Sequence, residues 1–276
     1  MSRSSSLAIC RGLLLIVVGF FIVITQTPGL VFKYKISQKL SLFWHRWCHR
    51  IIGMEIDVRG ATLVSGPALF VSNHVSYLDV TAIGSVVDGA FVSRADVRNW
   101  PIFGFLASLQ RTIFIKRCPR YARQQMLELS DRLGAGDRLI LFPEGTSSDG
   151  NTILPFKSTL FAVAGTQVKA RAIPVQPISI AYTRLDGIPL GRLLRPIYAW
   201  YGDMPFIPHF WRLLGYGRFQ VEITIHDPIK LEDFGSRKVL AGYCEKEVTR
   251  GFSRSLAGRS SITAQTETRL PPSSAA

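Results

Sequence analysis

The sequence predicts an α/β fold: a largely parallel or mixed sheet flanked by helices, preceded by a membrane-anchoring helical segment. Three observations predict it. Short apolar runs alternate with helical patterns from residue 55 onward, as in domains whose helices cover a sheet. Near the N-terminus, the stretch from Gly12 to Phe32 carries no charge. Finally, 33 Lys and Arg against 19 Asp and Glu give a net charge of +14 in a chain that is 47% hydrophobic. That surplus suits a polyanion, and the hydrophobic content points to an anionic bilayer surface rather than nucleic acid.

The elements follow in order. "GLLLIVVGFFIVITQTPGLVF" would make roughly 30 Å of helix, close to the hydrocarbon thickness of a bilayer. Pro28 and Gly29 are positions where it would kink or stop. A secretory leader is the rival reading, with Arg3 and Arg11 before the apolar run, but no small-x-small cleavage site follows. An uncleaved anchor is therefore expected. Lys33, Lys35, Lys39, Arg46 and Arg50 follow it, which keeps the body on the cytoplasmic side.

The next segment, Ile36 to Arg50, sets Leu40, Phe43, Trp44 and Trp47 on one helical face beside basic residues. Such a helix lies among lipid headgroups with its aromatic side down. His45, Cys48 and His49 have metal-like spacing but no fourth ligand, so they are read as a solvated helix face. Cys10, Cys48, Cys118 and Cys244 stand too far apart to form a disulfide framework.

Strands are expected at Ala68–Ser72, Ala90–Ser93, Thr112–Ile115, Arg138–Phe142, Ile173–Tyr182 and Gln220–Ile225. Arg120 to Leu133 reads as a helix, with Ala122, Met126, Leu129 and Leu133 on one face, Pro119 starting it and Gly134 ending it. Three regions result: an anchor with its interfacial helix (1–54), an α/β domain (55–250), and a Ser-, Thr- and Pro-rich tail (251–276) expected to be disordered.

Chemistry enters at "VSNHVSYLDV", Val71 to Val80. His74 falls in the turn between the strand ending near Asn73 and a helix starting near Leu78. Asp79 is close enough to fold back and accept the Nδ1 proton, leaving Nε2 free as a base. On spacing alone, a capping aspartate beside an ordinary polar turn explains the pair better.

The rest of the chain changes that balance. "NHVSYLD" (Asn73 to Asp79) resembles the NHxxxxD block of the glycerolipid acyltransferases, which include the 1-acylglycerol-3-phosphate acyltransferases. "TIFIKR" (Thr112 to Arg117) resembles their second block, and "FPEGTSSDG" (Phe142 to Gly150) the third, with "PFKSTLF" (Pro155 to Phe161) as its sequel. "AIPVQPISI" (Ala172 to Ile180) resembles the fourth. The resemblance runs from Asn73 to Ile180 with the blocks in the family's order.

It implies transfer of a fatty acyl chain from an acyl carrier protein or coenzyme A thioester to the hydroxyl of a membrane lipid. No cofactor or metal is implied. His74 would take the hydroxyl proton and Asp79 steady the imidazole, while Asn73 supports the turn. Arg117, Glu144, Gly145, Thr146, Ser147 and Lys157 would bind the acceptor, and Pro174 belongs to the strand linked to the acyl donor. The implied location is a bacterial inner membrane, with catalysis on the cytoplasmic side.

Two departures matter. Arg111 stands where the second block opens with glycine, and Ser147 where the third block carries arginine. Without that guanidinium fork a phosphate monoester is a poorer acceptor, unless Arg111 compensates. The third block looks most like the bacterial branch that acylates lyso-ornithine lipid, a zwitterion with a carboxylate and no phosphate. A 1-acylglycerol-3-phosphate acyltransferase is the alternative reading, and a non-catalytic basic membrane tether a distant third. A serine hydrolase lacks its G-x-S-x-G elbow here.

Overall fold

The computed structural model describes residues 3–32, 36–100, 103–116, 118–168 and 171–259. The chain opens with helices α1 (Ser5–Phe32) and α2 (Ile36–Ile51). Strand β1 (Met54–Gly60) and strand β2 (Ala68–Ser72) come next, then α3 (Leu78–Gly84), β3 (Ala90–Arg94), α4 (Phe103–Leu109) and β4 (Ile113–Ile115). Helix α5 (Ala122–Gly134) leads to β5 (Arg138–Leu141) and a 3-10 segment, Ser158–Gly165. A small ribbon, β6 (Gln167–Val168) with β7 (Arg171–Ala172), precedes the long β8 (Val175–Leu185), with β9 (Ile188–Pro189) turned back on it. Helix α6 (Phe206–Leu214), β10 (Phe219–Ile225) and α7 (Arg237–Leu256) complete the body.

The main sheet runs β1-β10-β8-β2-β5-β3-β4, and only β10–β8 is antiparallel along that path. This is the expected mixed sheet. β2 is buried at all five positions, as a central parallel strand covered on both faces must be. Its alternate residues feed two cores: Phe70 packs with α3, α6 and the start of α1, while Leu69 and Val71 pack with α5, α7 and the 3-10 segment.

β8 outreaches its partner. It registers with β2 from Leu69↔Val175 to Ser72↔Ile178, then continues alone on that side through Leu185. The overhang stands beside the turn that follows β2, at the carboxyl ends of the parallel strands, where open α/β sheets carry their sites.

Two expectations need correction. α2 turns His45 and Cys48 inward, where both are buried, and leaves Phe43 and Trp47 exposed. The predicted solvated face is therefore the packed one. Its close approach depends on Gly84, where a Cβ would come within 2.5 Å of the His45 ring. The tail boundary at residue 251 also fails, because α7 runs on to Leu256 with Gly251, Phe252 and Ser255 buried. Residues 260–276 of that tail, and Lys33 and Lys35, lie outside the described residues.

Ser5–Thr27 is long and apolar enough to cross a membrane. α1 nevertheless packs against α6, α2 and α4 in turn. Its Arg11, read from sequence as a flanking charge, is buried and donates to the carbonyls of Leu214, Tyr216 and Gly217, satisfying the open end of α6. Away from these contacts α1 leaves Val17 and Phe20 exposed.

Candidate active site

The turn after β2 is held from four directions. Asn73 donates from Nδ2 to the Ile180 carbonyl and accepts the Ile180 amide at Oδ1, both at 2.9 Å, so its side chain extends the ladder between β2 and β8. The His74 amide donates to Glu144 Oε1 at 2.7 Å, and the His74 carbonyl accepts from the Ser148 amide at 2.8 Å. The Val75 carbonyl accepts from the Trp200 amide.

Within that frame His74 Nδ1 lies 2.8 Å from Asp79 Oδ2. The same oxygen accepts the amides of Val75 at 2.6 Å and Ser76 at 2.9 Å, while Oδ1 accepts the Tyr182 hydroxyl at 2.7 Å. Asp79 is fully buried, and three donors besides His74 meet its two oxygens. A carboxylate facing Nδ1 fixes the hydrogen there, so Nε2 is the nitrogen with a free lone pair. The imidazole stacks on Phe142 at 4.2 Å and 16°, which sets its plane.

His74 and Phe142 border a cavity of about 640 Å³. Its depth is apolar, with Leu69, Met126, Leu129, Leu139, Leu141 and Val163 between the sheet, α5 and the 3-10 segment. Its mouth is polar and mostly cationic, with Lys116, Lys157 and the Arg94–Asp96 pair beside Thr146 and Tyr201. An apolar volume next to a polar, cationic mouth suits an amphiphile with an anionic group.

The predicted site residues divide. His74, Gly145, Thr146, Ser147 and Lys157 all line this cavity. Gly145, at φ +73°, closes the turn in which its amide bonds the Phe142 carbonyl. Arg117 lies outside the described residues, although Lys116 and Cys118 on either side line the cavity. Asn73 is committed to Ile180 and does not reach substrate space. Pro174 sits at the far end of β2, where its carbonyl accepts from Leu69, and does not line the cavity.

Glu144 differs from the acceptor-binding role expected of it. Its Oε1 takes the His74 amide and its Oε2 the Leu154 amide at 2.8 Å, so both oxygens tie the third block to the turn that carries His74. Burial pushes its carboxyl up to about 8, opposed by those two amides and reinforced by the nearby charges of Asp79 and Glu245. Ser147 also has a fixed partner: its hydroxyl donates to the Trp200 carbonyl, pinning this loop to the 198–202 segment.

Arg111 does not compensate for the missing arginine. Its side chain pairs with Asp137 at 2.9 Å, at the start of β5 and thus the opposite end of the sheet from His74. Its φ of +60° explains the family's preference for glycine at that position.

Tyr182 and Phe142 close two of the expected strands, and their sequence context assigns them no role. The one local signal for Tyr182 is the length of the apolar run ending there, longer than any neighbouring strand. Among the described residues, no group of His, Cys, Asp and Glu is arranged to hold a metal.

A family model described as Acyltransferase matches residues 55–181. The chain is 38% identical over 227 residues to a lyso-ornithine lipid O-acyltransferase of Brucella abortus, covering 81% of this chain and 85% of the relative. It is 35% identical over 264 residues to a lyso-ornithine lipid O-acyltransferase of Rhizobium meliloti, covering 94% and 90%. The crystal structure of the 1-acyl-sn-glycerophosphate acyltransferase PlsC of Thermotoga maritima superposes with a TM-score of 0.59 at 24% identity, covering 90% of this chain and 97% of that one. That last likeness is one of fold.

Proposed function

The chain belongs to the acyltransferase family, and on that premise we propose that it transfers a fatty acyl chain from a thioester to the hydroxyl of lyso-ornithine lipid. The observation that carries the reading is the His74 Nδ1–Asp79 Oδ2 bond of 2.8 Å at the mouth of an apolar cavity. The acceptor hydroxyl attacks the thioester carbonyl carbon as His74 Nε2 removes its proton. The tetrahedral adduct collapses, the C–S bond breaks, and the departing thiolate takes the proton back from the imidazolium. Asp79 stabilises the imidazolium and holds the ring. The acceptor oxygen is itself the nucleophile, so no acyl-enzyme forms.

The apolar depth takes the acyl chain, and the cationic mouth, with Lys116 and Lys157, takes the acceptor carboxylate. Two named relatives act on lyso-ornithine lipid, and Ser147 replaces the arginine suited to a phosphate monoester. Acylation of 1-acylglycerol-3-phosphate is the alternative. An acidic acyl carrier protein is the donor best matched to a net charge of +14. Helices α1 and α2 anchor the domain that begins near residue 55 to the cytoplasmic face of the membrane, with the apolar face of α1 in the lipid.

The experiment supplies labelled acyl carrier protein with either lyso-ornithine lipid or lysophosphatidic acid. His74→Ala is expected to lose at least about a hundredfold in rate while staying folded, the scale of a general base. Full activity in that variant overturns the mechanism, and preferred turnover of lysophosphatidic acid overturns the acceptor.

A further inference from the structure

Helix α6 divides cleanly. His209, Leu213 and Leu214 point into the body, whereas Ile207 and Trp211, one turn apart, are 70% and 43% exposed. Arg212 stands beside them, also exposed. An apolar outer face with a flanking cation is the pattern of a helix lying at a membrane interface. The face is continuous with α1. A Cβ built on Gly12 would lie 3.9 Å from Trp211 Cζ3 and 3.9 Å from Leu214 Cδ1, and Arg11 caps the carbonyl end of α6. Beside that seam, α1 exposes Ile9, Leu13 and Ile16.

We propose that α6 is a further bilayer-seated element, with Ile207 and Trp211 lodged at the boundary between headgroups and acyl chains next to α1. The occupant is a lipid surface because one cover must span both helices, and the α1 part of the patch is an uncharged face several turns long. Arg212 then meets the lipid phosphates.

The inner face of α6 gives this seat a consequence for the catalytic turn. His209 Nε2 faces the Ile197 carbonyl at 3.2 Å, so it carries the hydrogen, and Nδ1 accepts the Tyr77 hydroxyl at 2.9 Å. Tyr77 belongs to the turn that holds His74, and its ring packs edge-on against Phe206, Phe210 and Trp200. The depth of α6 in the lipid therefore fixes the height of His74 above the leaflet. This holds whichever lysolipid is the acceptor.

The test replaces exposed Cys10 and Cys118 by serine, leaving buried Cys48 and Cys244, and places a bimane label through Ile207→Cys. Val239→Cys, on the exposed side of α7, is the reference. Vesicle-bound full-length protein is recovered by flotation from vesicles of phosphatidylethanolamine and phosphatidylglycerol, with or without doxyl-labelled lipid. Doxyl lipid is expected to quench the label at 207 at least about threefold more than at 239, and iodide to quench it less. Equal doxyl quenching at the two sites, free iodide access at 207, or the absence of a vesicle-bound fraction overturns the proposal.

Discussion

The Tyr182 hydroxyl donates to Asp79 Oδ1 at 2.7 Å, from the overhang of β8 beyond its pairing with β2. Tyr182 does not line the cavity; its hydroxyl reaches His74 only through Asp79. Removing its hydroxyl leaves Asp79 Oδ1 without that donor and loosens the support of the imidazole. Tyr182→Phe is expected to lower kcat about tenfold while KM for the acceptor stays within about twofold. An unchanged kcat would reduce Tyr182 to a packing residue.

Glu144 separates two roles by kinetics. Glu144→Gln keeps one acceptor oxygen but turns an amide toward a backbone N–H, so one of the two bonds at His74 and Leu154 is lost. If Glu144 positions the base, kcat should fall about tenfold while KM for the acceptor stays within about twofold. Glu144→Ala leaves both amides unsatisfied and should cost about 2–5 kcal/mol in urea unfolding. A change confined to KM would restore the acceptor-binding role.

Ser147→Arg tests the acceptor. The substitution removes the bond to the Trp200 carbonyl and brings a guanidinium to the cavity mouth, near Thr146 and Lys157. The ratio of kcat/KM for lysophosphatidic acid to that for lyso-ornithine lipid is expected to rise at least about tenfold. A ratio that does not move would mean that position 147 does not select the headgroup.

His226 predicts an acid-side loss of stability. Its Nε2 lies 2.7 Å from Ser179 Oγ under Gly251, and burial, with Arg250 and Arg254 nearby, lowers it to about 4. Glu247 lies 3.8 Å from Nδ1, but Arg250 already engages it, so desolvation dominates. The unfolded chain binds this proton near 6.5 and the folded chain near 4, so stability is full above 6.5 and falls as pH drops toward 4. Between pH 7 and 5 the loss from this group is about 2 kcal/mol. In urea unfolding, His226→Gln should lower the dependence by one proton; an unchanged slope would clear His226.

The sheet was legible because β2, β3, β4, β5, β8 and β10 are short apolar runs bounded by turn residues, and α5 because its apolar face repeats at helical spacing. β1 reads "MEIDVRG" and sits at the sheet edge, where alternating polar residues hide a strand. α6 and α7 are defined by what they pack on. The His74–Asp79 pair was visible since both residues lie in one turn. The destinations of Asn73, Glu144 and Ser147 were not, because local spacing carries no information about Ile180, Leu154 or Trp200. The inward turn of His45 likewise depends on Gly84 at the end of α3, since no periodicity within α2 announces it.

The two clamps on the base join positions far apart in the chain: His74 to Glu144 across 70 residues, and Asp79 to Tyr182 across 103. A chain emerging from the ribosome exposes the histidine and its aspartate long before either clamp exists. Closing such loops is slow compared with forming a local turn. On the proposed mechanism, turnover therefore waits until β5 and then β8 have docked on β2. In a refolding experiment, return of turnover would mark closure of the central sheet, arriving after the helical signal of α5 and α7 has already recovered.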